Sequence, residues 1–283
     1  MGLGDDLMIT TFARKIKEKN PDMQIVIGNN TTKEMYDSLI YKNNPFITHS
    51  SNIDKSKSIL IIDYHNFNRP YIDYKHSPTD RIKFNDNFKP IPGEIYFTNE
   101  EEELGEKILL NAINFWEKKN TNQYKGIIFF EIFSSKINTP LKIRHQNMDW
   151  GYENWNLLIN KIKKNYLLIQ SVHDESKEIE GVFAFEKKFN FREACSVLKR
   201  CDLYLGNHGG FNHAAAALNK KAVIYFGGWS NPKTMGYSFH KNIYVDTEES
   251  PCGAKGYLCN HCEKCRESIS IEEMTSAIES QFD

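Results

Sequence analysis

The sequence lacks the features that would tie a chain to a membrane or to a polyanion. No run approaches the roughly 20 apolar residues that a membrane-spanning helix needs, and Met1 is not followed by the basic and apolar segments typical of a signal peptide. The 36 Lys and Arg residues are balanced by 37 Asp and Glu residues, for a net charge of -1, which excludes a global attraction to nucleic acid. We therefore expect a cytoplasmic protein with no transmembrane segment and no nucleic-acid partner, for which peripheral membrane contact stays open.

The 283 residues, 40% of them hydrophobic, are enough for two α/β domains with substantial cores. Strand-like and helix-like segments alternate along most of the chain, which predicts parallel sheets with right-handed crossovers. The polar stretch 120–126 is the best linker. We place the domain boundary there, which gives an N-terminal α/β domain at 1–120 and a C-terminal, Rossmann-like domain at 121–283.

The N-terminal half has one irregular feature. A glycine turn such as Gly2 to Gly4 normally follows the first strand of a doubly wound sheet, yet only Met1 precedes it here. We expect a sheet whose first strand is missing or that is built without it. Further along we predict a helix over 31–41, a strand over 58–63 buried on both faces, a long loop over 65–92 and a helix over 100–119.

The most informative segment runs from Asp202 to Leu218 and reads as a strand, a tight turn and an alanine-rich helix. Its turn contains Asn207, His208, Gly209 and Gly210, and His213 lies in the first turn of the helix. Two glycines allow a ligand to approach the backbone, and the free N–H groups of a helix start favour an anion such as a diphosphate. The alternative is an ordinary strand-to-helix turn with a packed histidine.

Together with the segment 221–228 that follows it, this pattern resembles the donor-nucleotide segment of glycosyltransferase family 9, the ADP-heptose heptosyltransferase family. The opening Gly4-Asp5-Asp6 turn into a helix is similar to the start of that family. The resemblance implies a GT-B fold, in which two Rossmann-like domains face a cleft, and sugar transfer with inversion. It implies that 1–120 is the acceptor-side domain and that 121–283 is the nucleotide-sugar-binding domain. It also implies that Asp5 is the general base, with Asp6 as the adjacent alternative.

The same carboxylates have a simpler interpretation. Asp is a preferred residue at helix starts, so Asp5 and Asp6 could cap a helix that begins near Leu7. A base for an inverting transfer must take the proton of the acceptor hydroxyl, which a carboxylate at the rim of a cleft can do. Both interpretations stay open at the level of sequence.

Two positions depart from the family pattern. His208, Gly209 and Gly210 stand where the family has an acidic residue, Ser or Thr, and Gly, and Met148 stands where the family has a lysine that holds donor phosphate. A thioether cannot neutralise a diphosphate. Arg144 is our candidate replacement, with Lys142 and His145 on the same loop.

Four of the six cysteines lie within fourteen residues: Cys252, Cys259, Cys262 and Cys265. Two-residue spacings let thiolates converge on one ion, so we predict a metal knuckle at 252–265 that holds structural zinc or iron, with His261 as an alternative ligand. No catalytic metal is expected. Some heptosyltransferase-like proteins that glycosylate autotransporters resemble this chain in carrying an iron-binding cysteine finger. Reduced or disulfide-paired cysteines are the alternative.

The sequence thus predicts a glycosyltransferase that moves heptose or a similar sugar from a nucleotide-diphosphate donor to a glycan, lipid-linked or protein acceptor. One alternative is a nucleotide-sugar-binding protein with impaired catalysis, and another is an interaction module built on the metal knuckle. Arg69 and Tyr71 in the long loop are weaker candidates for contact with an acceptor sugar.

Overall fold

The computed structural model describes residues 2–132, 146–172, 178–185 and 189–283. The chain opens with helix α1 (Leu3–Lys19). Strands β1 (Gln24–Asn29), β2 (Glu34–Met35) and β3 (Ile59–Asp63) form a sheet in the order β2-β1-β3, with β1 and β3 parallel and β2 antiparallel. Short 3-10 turns lie at Leu39–Tyr41 and Ser50–Asn52. The long segment 64–98 then leads to helix α2 (Asn99–Lys119).

The second half is built on a six-stranded parallel sheet. Its elements in chain order are β4 (Ile127–Glu131), α3 (Tyr152–Ile162), β5 (Leu167–Gln170), β6 (Phe183–Ala184), α4 (Phe191–Leu198), β7 (Leu203–Asn207), α5 (Gly210–Ala217), β8 (Lys221–Gly227), α6 (Pro232–Met235), β9 (Lys241–Tyr244), α7 (Asn260–Ser268) and α8 (Ile271–Glu279). The strand order is β6-β5-β4-β7-β8-β9. The order reverses between β4 and β7, and open α/β sheets bind their ligands at the carboxyl ends of strands at such a switch point.

Two predicted elements are wrong. Residues 31–41 form β2 and a 3-10 turn rather than a helix, because Gly28 and Asn29 pair with Met35 and Glu34 across a tight connection. Strand β3 is half-buried instead of buried on both faces, because it lies at the edge of its sheet. Helices α6 and α7 were not expected from the sequence.

The two halves pack closely on each other. Helix α1 contacts α5, and α2 packs against α4 and β5, so α2 lies on the six-stranded sheet although it precedes residue 120. The guanidinium of Arg192 on α4 pairs with Glu101 on α2 at 2.6 Å, and both side chains are buried. The boundary at 120 remains a prediction. Within the described residues, no helix combines the length and the apolar character required to cross a bilayer.

Candidate functional site

A cavity of about 470 Å³ opens at the carboxyl ends of β4, β5 and β7, which is the switch point of the large sheet. We call one side of it the sheet wall, which contains Glu131, Ser171, Asn207, Gly209 and Gly210. The opposite side comes from the long segment after β3, and we call it the loop wall, which contains Arg69, Tyr71, Ile72, Ile82 and Phe84. The start of α1 closes the space between the two walls.

The glycine turn of the sheet wall has the strand–turn–helix geometry predicted from the sequence. Gly209 precedes α5, and a Cβ built on it would meet nothing within 4 Å. Its backbone is extended, with φ 169°, so this glycine is not required by its own conformation. What it provides is open space in the cavity next to the free N–H groups of the α5 start.

Neighbouring side chains of the turn are held by protein contacts. Asn207 donates to a carboxylate oxygen of Asp149 at 2.7 Å. The ring of His208 stacks on Phe226, with centroids 4.8 Å apart, and its Nε2 lies 2.8 Å from the hydroxyl of Ser230. Both residues line the cavity, as predicted, and His208 does so as a packed ring.

The start of α1 abuts the start of α5. A Cβ on Gly4 would lie 3.2 Å from the Cα of Gly210 and 2.8 Å from Cδ2 of His213, so only glycine fits here. The first turns of both helices line the same cavity. The free N–H groups of two helix starts therefore lie at the same cavity, and together they favour the binding of an anion there.

The two aspartates of α1 have different surroundings. The carboxylate of Asp5 lines the cavity and accepts the hydroxyl of Tyr71 at 2.5 Å and the N–H of Gly2 at 3.2 Å. The carboxylate of Asp6 lies outside the cavity lining and accepts a hydrogen bond from the hydroxyl of Ser38 at 2.6 Å. Burial raises the pKa of Asp6. The structure therefore separates the two candidates and leaves Asp5 at the cavity.

The helix also begins earlier than the simpler interpretation assumes. It starts at Leu3 instead of near Leu7, so Asp5 and Asp6 lie within its first turn. Asp5 still satisfies one free donor of the helix start, the N–H of Gly2. A capping role and a place in the cavity coexist in this one side chain.

His213 is buried against Gly4, with its Nδ1 2.8 Å from the hydroxyl of Tyr237. Burial lowers the pKa of this histidine to about 4, so the ring is neutral at physiological pH. It can offer an N–H group to a ligand but no charge.

Charged side chains in the cavity are mostly acidic. Among the lining residues that the structure describes, Asp5, Glu131 and Asp149 are acidic and Arg69 is the single Arg or Lys. Met148, in the place of the family lysine, lines the cavity and packs beside Trp229. Arg144, Lys142 and His145 lie outside the described residues.

Three of the four clustered cysteines converge. The sulfur atoms of Cys252, Cys259 and Cys262 all lie within 4.8 Å of one another, at 3.2 Å for Cys252–Cys262 and 3.7 Å for Cys252–Cys259. Tetrahedral zinc with 2.3 Å bonds requires sulfurs about 3.8 Å apart, so the three thiols fit a metal. A hydrogen bond from Cys262 lowers the pKa of Cys252 to about 6, as suits a thiolate ligand.

The fourth cysteine is displaced from this group. The sulfur of Cys265 lies 3.4 Å from Nε2 of His261 and is outside the set of sulfurs that converge. Cys262 and Cys265 share α7 at a spacing of three residues, so both face the same side of the helix. Cys265 and His261 lie beside the group, on the helix that also carries Cys262.

The knuckle supports the loop wall. The N–H of Ile82 donates to the carbonyl of Gly253 at 2.7 Å, and the N–H of Lys255 donates to the carbonyl of Asp80 at 2.8 Å. The indole of Trp229, which lines the cavity, donates to the carbonyl of Ala254 at 2.8 Å and meets the ring of Phe84 edge to face. The cysteine segment thus lies directly behind the cavity lining.

Some lining residues were missed by the sequence analysis. Glu131 ends β4, and Phe185, Phe189 and Phe191 form an aromatic patch on the cavity edge. A rule that inspects the carboxyl end of every parallel strand would have found Glu131.

Residues 146–262, less than half of the chain, match the family model described as glycosyltransferase family 9 (heptosyltransferase). The match covers the glycine turn and three of the four clustered cysteines, and it confirms the resemblance drawn from the sequence.

Two solved glycosyltransferase structures share the fold over nearly the whole chain. A glycosyl transferase family 9 protein from Veillonella parvula DSM 2008 superimposes with a TM-score of 0.64 at 15% identity, over 100% of this chain and 94% of that one. The iron-containing dodecameric glycosyltransferase TibC from enterotoxigenic E. coli H10407 gives 0.63 at 12% identity, over 99% and 74%. The GT-B-like fold class is confirmed. No curated protein matches the sequence.

Proposed function

We propose that the chain transfers a sugar, heptose or a similar one, from a nucleotide-diphosphate donor to a hydroxyl acceptor with inversion. The observation that carries the proposal is the meeting of two elements in one cavity. The carboxylate of Asp5 and the turn at Gly209 and Gly210 come from opposite ends of the chain, and the packing of Gly4 on Gly210 joins them.

The turn is the proposed site for the diphosphate. Backbone N–H groups at the starts of α1 and α5, together with Arg69, are the positive groups of the described cavity. They offset the loss of the family lysine at Met148. Asn207, His208 and His213 shape the wall around the phosphates, and Arg144 remains a candidate donor contact.

Asp5 is the proposed general base. It takes the proton of the acceptor hydroxyl while the acceptor oxygen bonds to the anomeric carbon, and the bond from that carbon to the diphosphate breaks with its electron pair on the leaving group. This chemistry uses no metal. The acceptor, whether glycan, lipid-linked or protein, enters from the side of the loop wall in this proposal.

The knuckle is proposed to hold structural zinc or iron through Cys252, Cys259 and Cys262, with Cys265 or His261 as fourth ligand. TibC, which shares the fold, is iron-containing. Four protein ligands leave no position for a substrate, so the metal would stabilise the wall behind Trp229 and take no part in the reaction.

Asp5→Asn tests the base. We expect kcat for release of nucleoside diphosphate from ADP-heptose, GDP-mannose or UDP-glucose to fall at least about 100-fold, because the amide cannot accept the proton. Affinity for ADP, GDP or UDP, measured by calorimetry, should stay within about threefold of wild type. Asp6→Asn is the matched control and should keep kcat, since Asp6 faces Ser38. Full turnover in Asp5→Asn would remove Asp5 from the mechanism.

One observation favours a second candidate, a nucleotide-sugar-binding protein without turnover. Met148 gives the cavity an apolar side chain where the family holds phosphate with a lysine. In that case wild type and Asp5→Asn would bind a nucleoside diphosphate alike, and neither would release one from any donor of the panel.

A further inference from the structure

The carboxylate of Asp5 is held from two sides. On Oδ1 it accepts the Tyr71 hydroxyl at 2.5 Å. On Oδ2 it accepts the Gly2 N–H at 3.2 Å and lies 3.4 Å from Nε of Arg69. Charge-assisted hydrogen bonds of this kind are the strong ones and fix the plane of a carboxylate.

Tyr71 is itself fixed by packing. Its side chain is buried, its ring lies 6.2 Å from that of Phe88, and Met8 on α1 belongs to the same small core. Its backbone carbonyl accepts a hydrogen bond from the N–H of Asn85 at 2.9 Å, which joins two segments of the long loop. The hydroxyl therefore reaches Asp5 from a rigid support.

We propose that Tyr71 is a positioning residue for sugar transfer, whose hydroxyl orients the Asp5 carboxylate in the cavity. The proposal rests on the proposed role of Asp5 as base. Tyr71 exchanges no proton in the step. It donates to Oδ1 before and during transfer, while the acceptor proton goes to a free lone pair of the carboxylate.

Other ionisable groups also surround Asp5. The ionisable groups that interact with it come from the long loop, the first 3-10 turn, α1 and α5: Arg69, Tyr64, Tyr74, Tyr41, Asp6 and His213. His213 is neutral above about pH 4, so Arg69 is the cation in this set. All of these groups are retained when Tyr71 is changed to Phe.

Tyr71→Phe removes the hydroxyl and keeps the ring. Carboxyl NMR, on full-length protein labelled with ¹³C-aspartate and assigned with Asp5→Asn, measures the effect without any turnover. We expect the Asp5 carboxyl resonance to move in Tyr71→Phe, because Oδ1 loses its hydrogen-bond donor. The chain offers a matched control, Tyr96→Phe, which removes a hydroxyl that donates to Glu94 at 2.9 Å outside the cavity.

Kinetics give the second measurement. For the donor of the panel that turns over, kcat of Tyr71→Phe should fall about tenfold, with the donor KM within about twofold. Tyr96→Phe should match wild type in both. A melting temperature close to that of wild type establishes that Tyr71→Phe is folded.

The outcomes separate the two proposals. If Asp5→Asn abolishes turnover while Tyr71→Phe leaves kcat and the Asp5 carboxyl resonance unchanged, the positioning role is wrong and the base stands. If Asp5→Asn turns over normally, the proposed function loses its base. A moved Asp5 resonance in Tyr71→Phe would in that case still show that the Tyr71 hydroxyl acts on the Asp5 carboxylate. A Tyr71→Phe protein that is unfolded overturns the claim that the hydroxyl acts on the carboxylate alone.

Discussion

The two walls of the ligand cavity are built in different ways. The sheet wall comes from the ends of hydrogen-bonded parallel strands and from the turn into α5, so its geometry is fixed by local chain structure and by the sheet. The loop wall comes from a segment whose regular pairing is limited to isolated bridges, one of which joins Arg81 to Ala254 in the cysteine segment. An irregular segment lacks the support of a sheet, so its order must come from what it packs against.

For the loop wall, that support is the knuckle. Ile82 and Asp80 bond to the backbone of 253–255, and Phe84 packs on Trp229 beside Cys252 and Cys262. Because the loop wall depends on the knuckle and the sheet wall depends on its own strands, we expect damage to the knuckle to disorder the loop wall and to spare the sheet wall. The same loop carries Tyr71 and Arg69, the partners of Asp5.

The largest effect is expected from Cys262→Ser. Loss of one thiolate removes the proposed metal and leaves a polar group in a buried site, so the free energy of unfolding should fall on the order of 5 kcal/mol. Metal content by mass spectrometry and thermal melting measure this, and calorimetry should show that affinity for the tightest-binding of ADP, GDP and UDP falls as well.

Cys201→Ser is the control for that substitution. Cys201 is equally buried but lies outside the cluster, and its sulfur donates to the carbonyl of Val197, a bond that serine can make. Cys201→Ser should lower the free energy of unfolding by less than about 1.5 kcal/mol and leave the metal content unchanged. A Cys262→Ser protein with wild-type metal content and melting temperature would show that the knuckle does not support the loop wall.

A smaller effect is expected from Gly253→Ala, which acts on the link between knuckle and loop. Gly253 has φ +60°, and a Cβ there would lie 2.1 Å from the carbonyl oxygen of Ile82. We expect a loss of about 3 kcal/mol in the free energy of unfolding, from left-handed backbone strain and from displacement of Ile82.

Gly256→Ala separates these two causes. Gly256 has φ +74° but open space around its Cβ position. Gly256→Ala should therefore lower the free energy of unfolding by about 1 kcal/mol, from backbone strain alone. Urea unfolding of both variants measures the difference. Equal losses would mean that the contact between Ile82 and Gly253 contributes nothing.

The sequence predicted the glycine turn of the sheet wall because the signals for that turn are local. The glycine turn, the alanine-rich helix and the flanking strands occupy consecutive residues, so the periodicity of 203–227 was sufficient to place Asn207, Gly209 and Gly210 together. Asp5 is far from this turn in the sequence, and only its match to a family motif linked it to the same site.

The loop wall could not be predicted in the same way. Its contacts join residues 80–84 to residues 229 and 253–255. These residues are far apart in the sequence, and a periodic pattern predicts only contacts between nearby residues. The difference between Asp5 and Asp6 also depends on tertiary contacts, namely Tyr71 for one and Ser38 for the other. The displacement of Cys265 from the three converging thiols has the same origin, because cysteine spacing does not give the position of α7.

The smallest effect on stability is expected where the sheet wall meets the ligand. Gly209→Ala adds a methyl group that contacts no protein atom within 4 Å, on an extended backbone, so the free energy of unfolding should change by less than about 1 kcal/mol. The methyl would occupy the space proposed for the diphosphate, and affinity for the nucleoside diphosphate should fall about tenfold, or about 1.4 kcal/mol. Calorimetry and urea unfolding measure the two quantities, and Gly256→Ala, which adds a methyl in open space away from the cavity, should leave the affinity unchanged. Wild-type affinity in Gly209→Ala would mean that the diphosphate binds elsewhere, and the sheet wall would then lose its proposed role.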